Sequence, residues 1–327
     1  MNIKVKNREE IYEMNFLPIT QLCGKNIVEK AFVIDSLEKY FSLSRYMEYE
    51  QAMIDNILVD DEAVGRKYFD VTVIRSREDL INQLKITKTG RVKKHIDKIL
   101  AEYCCQVEVE KLEQIINNIF DEINIKFLKG DSDLMLTYKE ENLFDMFLCS
   151  ELKAIDGRIL EELTNIELLE NYLKLIEEEQ HEDGKKTMLI FENVDHLLNR
   201  KEYLRFMESL TEVVTKSDLW CVVSTSLEGY TFLDEEYFTG INCVNDIIYT
   251  MADYAVVKEY VEFNYPVNKL FSDKEFKLGM ETAIHNIGAD NHKYDLRGYI
   301  IERLINTSVC TNVCEKSNMT LPEKNFL

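Results

Sequence analysis

Two runs in the chain, Thr187–Phe191 (TMLIF) and Leu219–Val223 (LWCVV), are continuously apolar and lack a polar alternate face. A strand tolerates such a run only when both of its faces are covered, as in a parallel sheet lying between layers of helix. Between them, Asn199–Lys216 places Tyr203, Leu204, Phe206, Met207, Leu210, Val213 and Val214 at helical spacing, and Ser217-Asp218 turns the chain into the next strand. Further strand-like runs fall at Asn15–Leu22, Tyr68–Arg75, Lys153–Ile155, Leu219–Ser224 and Cys243–Tyr249. Helical patterns separate them, so the expected fold is α/β with a largely parallel sheet. The chain has 327 residues with only 3 Pro and 11 Gly, which predicts about two domains built from long helices.

The middle of the chain has a different period. From Val92 to Ile123, apolar residues at Ile96, Ile99, Leu100, Tyr103, Cys104, Val107, Leu112, Ile115, Ile116, Ile119, Phe120 and Ile123 recur every three or four positions. There is one slip, between Val107 and Leu112, and no Gly or Pro. A single helix of this length would extend roughly 48 Å at about 1.5 Å per residue, a leg projecting from the α/β head. Thr164-Asn165-Ile166-Glu167 reads as a capping box that opens a second amphipathic helix, ending before Gly184. The two helices are expected to pair into an arm, each covering the other's stripe. Past Tyr249 the pattern is helical over Tyr254–Phe263, Lys274–Ile287 and Tyr294–Ile305, and the polar residues Thr311–Leu327 are expected to fray. The expected division is a head from residues 1–91 and 150–250, a helical leg from 92–149, and a C-terminal helical extension from 251–327.

Lys plus Arg number 39 against 60 Asp plus Glu, a net charge of −21, which excludes a protein whose whole surface grips nucleic acid. One stretch departs from that mean. Between Lys85 and Lys98, six cations (Lys85, Lys88, Arg91, Lys93, Lys94 and Lys98) face the single acid Asp97. Two readings stand. In one, Lys85, Lys88, Arg91, Lys93 and Lys94 contact phosphates and hold a duplex without reading its sequence. In the other, the stretch is an exposed hinge whose charges keep the arm soluble. Nothing at the N-terminus resembles a secretory h-region, and no window approaches 18 uninterrupted apolar residues, so neither a signal nor a membrane span is expected. The 8 Cys are spread along the chain, mostly inside apolar runs, and read as reduced small hydrophobes of a cytoplasmic protein. Cys310 and Cys314 lack a second ligand pair for zinc.

Leu22-Cys23-Gly24-Lys25-Asn26 follows a strand and opens a helix, as a phosphate-binding loop does. A working loop needs a first Gly, where this chain has Ile19, and a Ser or Thr after the Lys, where it has Asn26. Gly24, Lys25 and Asn26 therefore form a degenerate nucleotide loop. A divergent P-loop NTPase would use Lys25 with Glu192 or Asp195, the acids past the apolar strand Met188–Phe191. Asp195 reads more readily as the N-cap of a short turn, and Ser224-Thr225-Ser226 carries the same ambiguity. Asp131-Ser132-Asp133 begins like an EF-hand, but Leu136 and Asn142 occupy the Gly and bidentate Glu positions. Calcium held outside an EF-hand by Asp121, Glu122, Asp131 and Asp133 is the remaining cofactor expectation. The five His show no ligand spacing, and no nucleophile motif appears. An acidic helical scaffold that binds only proteins is a third class of function.

The segment TMLIFENVDHLLNRKEYLRFMESL, the strand LWCVVSTS and the stretch YTFLDEEYF, which contains Leu233-Asp234-Glu235-Glu236-Tyr237-Phe238, resemble the Csn2 family of spacer-acquisition proteins from type II-A CRISPR systems. Glu113–Phe127 resembles that family's leg helix and the acidic stretch after it. The resemblance covers residues 1–250, and the remainder resembles the large, C-terminally extended subgroup. It implies a P-loop-ATPase-like head without the activity, carrying a helical leg. It also implies a homotetrameric ring whose basic inner surface encircles double-stranded DNA, tolerates free ends and supports capture of new spacers. The implied partners are the Cas-one/Cas-two integrase and the type II effector nuclease, with no membrane. Family members that bind calcium hold it in acidic stretches after the leg helix, where this chain has Asn124 and Lys126.

Overall fold

The computed structural model describes residues 1–8, 10–42, 45–87, 90–127, 150–183, 186–226, 228–266, 270–289 and 296–309. Lys88, Asp131, Asp133, Cys149, Cys310, Cys314 and Thr311–Leu327 lie outside them. The chain divides into two compact units, Met1–Arg77 with Ile176–Leu327, and Glu78–Leu175.

The first unit opens with β1 (Asn2–Asn7), β2 (Glu10–Asn15) and β3 (Ile19–Cys23), then α1 (Ile27–Phe41), β4 (Ile57–Val59) and β5 (Asp70–Ile74). Strands β1, β2 and β4 form a small antiparallel sheet of order β2-β1-β4. Ile3, Val5, Tyr12 and Met14 are buried while their neighbours face outward, the period of two that a one-sided sheet requires. The expected run Asn15–Leu22 is thus two strands, parted at Phe16–Pro18, because Pro cannot donate to a ladder.

The second unit carries α2 (Arg77–Leu84), α3 (Arg91–Ala101) and α4 (Tyr103–Phe127), and its last helix α5 (Asn165–Asp183) returns the chain to the first unit. The first unit then continues with β6 (Thr187–Phe191), α6 (Arg200–Val214), β7 (Leu219–Ser224), β8 (Ile241–Val244), β9 (Ile248–Thr250), α7 (Tyr254–Asn264), α8 (Asp273–Ala283) and α9 (Leu296–Ser308). The main sheet has the order β5-β6-β7-β3-β8-β9. Every neighbouring pair is parallel except β8 with β9, a hairpin turning at Asn245–Ile247. The expected strand Cys243–Tyr249 is therefore two strands, and Lys153–Ile155 contributes only a bridge from Lys153 to Ile159.

Strands β3, β6 and β8 are buried at every residue, so the sheet is covered on both faces. On one face Leu22, Met188, Ile190 and Val222 join α1 and the small sheet in a common core. On the other, Cys23, Ile241 and Cys243 pack with Val257 and Val261 of α7, Phe276 and Met280 of α8, and Ile301 and Leu304 of α9. The residues after 250 are consequently not a separate extension. Helices α7, α8 and α9 share one core with β8 and Phe238, and they belong to the same compact unit as the sheet.

The long helix expected from Val92 to Ile123 is broken at Glu102, whose backbone is extended (φ −68°, ψ 142°) between α3 and α4. No Gly or Pro marks the break. Thr164 and Glu167 form the expected capping box, with the Glu167 carboxylate accepting from Thr164 N at 2.7 Å. The pairing of stripes does not form: Leu168, Leu169, Tyr172 and Leu173 of α5 are buried, whereas Ile115 and Ile119 of α4 are 56% and 53% exposed.

Candidate functional site

Two places concentrate polar chemistry. The first is the carboxyl edge of the main sheet, where ligands of open α/β sheets bind. Gly24 turns out of β3 with φ +101°, and a Cβ there would overlap the carbonyl oxygen of Val244 and stand 2.7 Å from its carbon. The loop is thus pressed against the end of β8. Its amides are already used. Gly24 N donates to Nδ1 of His285 at 3.4 Å, Lys25 N to Oδ1 of Asn245 at 2.6 Å, and Asn26 N to the Val244 carbonyl at 3.2 Å. Asn26 caps α1 by accepting from Glu29 N at 3.2 Å. In a phosphate-binding loop these N–H groups face the anion. In this chain they face its own C-terminal third.

Asn245 is the centre of that arrangement. Its amide nitrogen donates to the carbonyls of His285 (3.2 Å) and Ile287 (2.6 Å) while its oxygen holds Lys25 N. Lys30, 2% exposed, reaches up from α1 and donates to the carbonyls of Gly24 (2.7 Å) and Thr225. Burial pushes its ammonium below the ordinary lysine value.

His285 accepts from Gly24 N at Nδ1, so its proton resides on Nε2, which donates to Thr231 Oγ1 at 2.7 Å. Burial, and then the charges of Lys30 and Lys25, push the imidazole down to about 4 from 6.5, with Asp195 opposing them. Below pH 6.5 the unfolded chain takes up a proton that the folded ring refuses. The stability contributed by neutral His285 is therefore full above 6.5 and is lost as pH falls towards 4. Lowering the pH from 7.5 to 5 is expected to remove about 2 kcal/mol through this group. Comparing urea midpoints at the two pH values for the protein and His285→Gln checks it: a slope unchanged in the variant would refute the assignment.

The acids behave differently from expectation. Asp195 does not cap the turn Val194–His196, whose N-cap is Asn193. It accepts instead from Ser226 N (2.7 Å), Ser226 Oγ (3.0 Å) and Glu228 N (3.0 Å), clasping the loop after β7. Two backbone amides aimed at one carboxylate outweigh a single cap bond. Ser226 Oγ also meets Nε2 of His196 at 2.7 Å, but its proton goes to Asp195, so this is not a nucleophile–base pair. Glu192 is bound to Arg75 Nε at 2.8 Å, and the same guanidinium holds Asp35 and Glu38.

The second place is α3. Arg91, Lys94, His95 and Lys98 fall at i, i+3, i+4 and i+7 and share one face, while Val92, Ile96 and Ile99 occupy another. Lys94 is exposed. Lys93 points elsewhere and pairs with Asp97, and Lys85 pairs with Glu161 at 3.3 Å. Of the five sequence candidates, Arg91 and Lys94 thus come together, Lys85 and Lys93 are neutralised within the chain, and Lys88 lies outside the described residues. Lys98 and His95 belong with the first two. Counting charge along the chain missed that grouping, which the helical period contains. Asp121 and Glu122 are exposed neighbours on α4, and with Asp131 and Asp133 outside the described residues they supply two carboxylates. Among the described residues no group of three or more acidic, His or Cys side chains is placed to hold a metal, and no helix is long and apolar enough to cross a membrane.

Residues 4–294 match the family model described as CRISPR-associated protein Csn2 subfamily St. The crystal structure of Stu0660 of Streptococcus thermophilus is similar over 99% of this chain and 98% of that one, with a TM-score of 0.86 at 21% identity, a likeness of fold. No curated protein sequence matches the chain.

Proposed function

The chain belongs to the CRISPR-associated Csn2 family, subfamily St, and from that premise we propose that it binds double-stranded DNA independently of sequence, without catalysis, to support spacer acquisition in a type II-A system. The observation that carries the proposal is the basic face of α3: Arg91, Lys94 and Lys98 align in a chain whose net charge is −21. Cations so arranged track a phosphate backbone and read no base. The exposed Ile115 and Ile119 on α4 favour self-association, and a homotetrameric ring would place cations inside and the acidic surface outside. The consumed amides of Gly24, Lys25 and Asn26 support a head that turns over no nucleotide. Asp121 and Glu122 alone fall short of the 6–8 oxygens calcium takes, and no step is routed through that ion. The integrase and the effector nuclease are the proposed protein partners.

Solution mass together with binding to linear and covalently closed circular duplex of equal length tests the reading. The expected result is a tetramer that binds the linear form and ignores the circle, because a closed ring must load over an end. Equal affinity for the circle would rule out threading, and a monomer that ignores both forms at low salt would rule out the function.

A further inference from the structure

The small sheet leaves one edge open. Alternate residues of β1 bond to opposite neighbours: Lys6 N donates to Asn56 O at 2.8 Å on the β4 side, and Met1 O accepts from Phe16 N at 2.8 Å on the β2 side. That alternation makes Ile3–Met14, Val5–Tyr12 and Asn7–Glu10 the bonded pairs of the β1–β2 ladder. The N–H and C=O groups of Ile11 and Glu13 therefore point away from β1, and among the described residues they meet no donor or acceptor. At the opposite edge, Val59 of β4 exchanges two backbone bonds with Glu62, which covers it. An opening of about 600 Å³ lies beside the free edge, between residues 10–13 and 245–248. Its lining includes Glu10, Glu13, Glu29 and Asp246 but no Lys or Arg. The two faces of β2 differ. On the outer face Ile11 is 58% exposed, and Glu13 is shared with Lys4 at 3.6 Å. On the inner face Tyr12 Oη lies 2.6 Å from Glu29 and 3.1 Å from Glu10, so one hydroxyl proton serves two carboxylates.

We propose that the free edge of β2 docks an extended basic segment of a partner protein, which adds to the small sheet as a further strand. Its Lys or Arg side chains turn to Glu10, Glu29 and Asp246, and its apolar side chains lie beside Ile11. The open backbone groups supply main-chain hydrogen bonds, and the alternation of side chains supplies specificity. Charge selects the occupant. The β2 strand of a second copy would set its own Glu10 and Glu13 against the same acids, and like charges facing across a strand pair are destabilising. A phosphate backbone is repelled in the same way. The edge belongs to the first compact unit and the basic face of α3 to the second, so this contact is distinct from the duplex site.

Calorimetric titration of the full chain with a capped heptapeptide of alternating Lys and Val tests the proposal. Saturable binding is expected. It should be lost for the peptide of alternating Glu and Val, and lost when every backbone nitrogen of the Lys–Val peptide is methylated. Ile11→Pro removes an outward N–H and no bond of the β1–β2 ladder, a change that edge strands tolerate. It is expected to weaken binding about tenfold, the worth of one hydrogen bond. Glu10→Lys, at an exposed side chain, leaves every backbone group in place and is expected to weaken binding about fivefold. Absence of saturable binding of the Lys–Val peptide overturns the proposal. Equal affinity for the methylated peptide overturns it in favour of charge attraction alone, and unchanged affinity in both variants overturns it by placing the peptide elsewhere.

Discussion

Reversing three charges on α3 (Arg91→Glu, Lys94→Glu and Lys98→Glu together) is expected to reduce affinity for linear duplex at least about a hundredfold at moderate salt. Each phosphate contact contributes about 0.9 to the slope of log affinity against log salt, so losing three should flatten that slope by about 2.7. The helix itself should survive, because an acid at the first position of α3 suits the positive end of its dipole. Reversing Lys85 and Lys93 is the informative comparison. Lys85 precedes α3 and Lys93 lies off its aligned face, so their reversal is expected to change affinity less than about tenfold. Equal losses in the two variants would show that net charge, rather than the aligned face, determines binding. Unchanged affinity in the triple variant, with assembly mass preserved, would remove α3 from the interface.

Gly24→Ala is expected to destabilise the head by about 2–5 kcal/mol, from a positive φ that resists a Cβ and a collision with the backbone of Val244. Lys25→Ala, at an exposed side chain, is expected to change stability by less than about 0.5 kcal/mol. A phosphate-binding loop would show the opposite emphasis, with the lysine decisive for ligand and the glycine for close approach of an anion. Denaturant midpoints of the two variants separate the cases. A stable Gly24→Ala protein would mean that the loop and the end of β8 are not locked as described.

Much of the local structure can be read along the chain, for a common reason. The buried strands β6 and β7, the helix between them, and the capping box at Thr164–Glu167 are each specified by residues within four positions of one another. The hairpin β1–β2 is legible in the same way, through Ile3 and Val5 alternating with Lys4 and Lys6, yet its polar half conceals it from a search for apolar runs. The break at Glu102 has no such signal, since neither Gly nor Pro interrupts the period.

The degenerate loop shows where local information stops. Sequence alone determined that Gly24-Lys25-Asn26 lacks the first glycine and the metal-binding hydroxyl of a nucleotide loop, because those are requirements on single positions. That the vacated hydrogen-bonding groups are met by Asn245 and His285, 220 and 261 residues away, was decided only by the tertiary structure. The same holds for the basic stretch from Lys85 to Lys98: its abundance of cations belongs to the sequence, but the alignment of Arg91, Lys94 and Lys98 depends on helix phase, and the pairing of Lys85 depends on Glu161, a partner brought close by folding. Caps and periodicity act within a turn or two of the chain. Amide satisfaction and charge pairing depend on distance in space, which the order of residues does not contain.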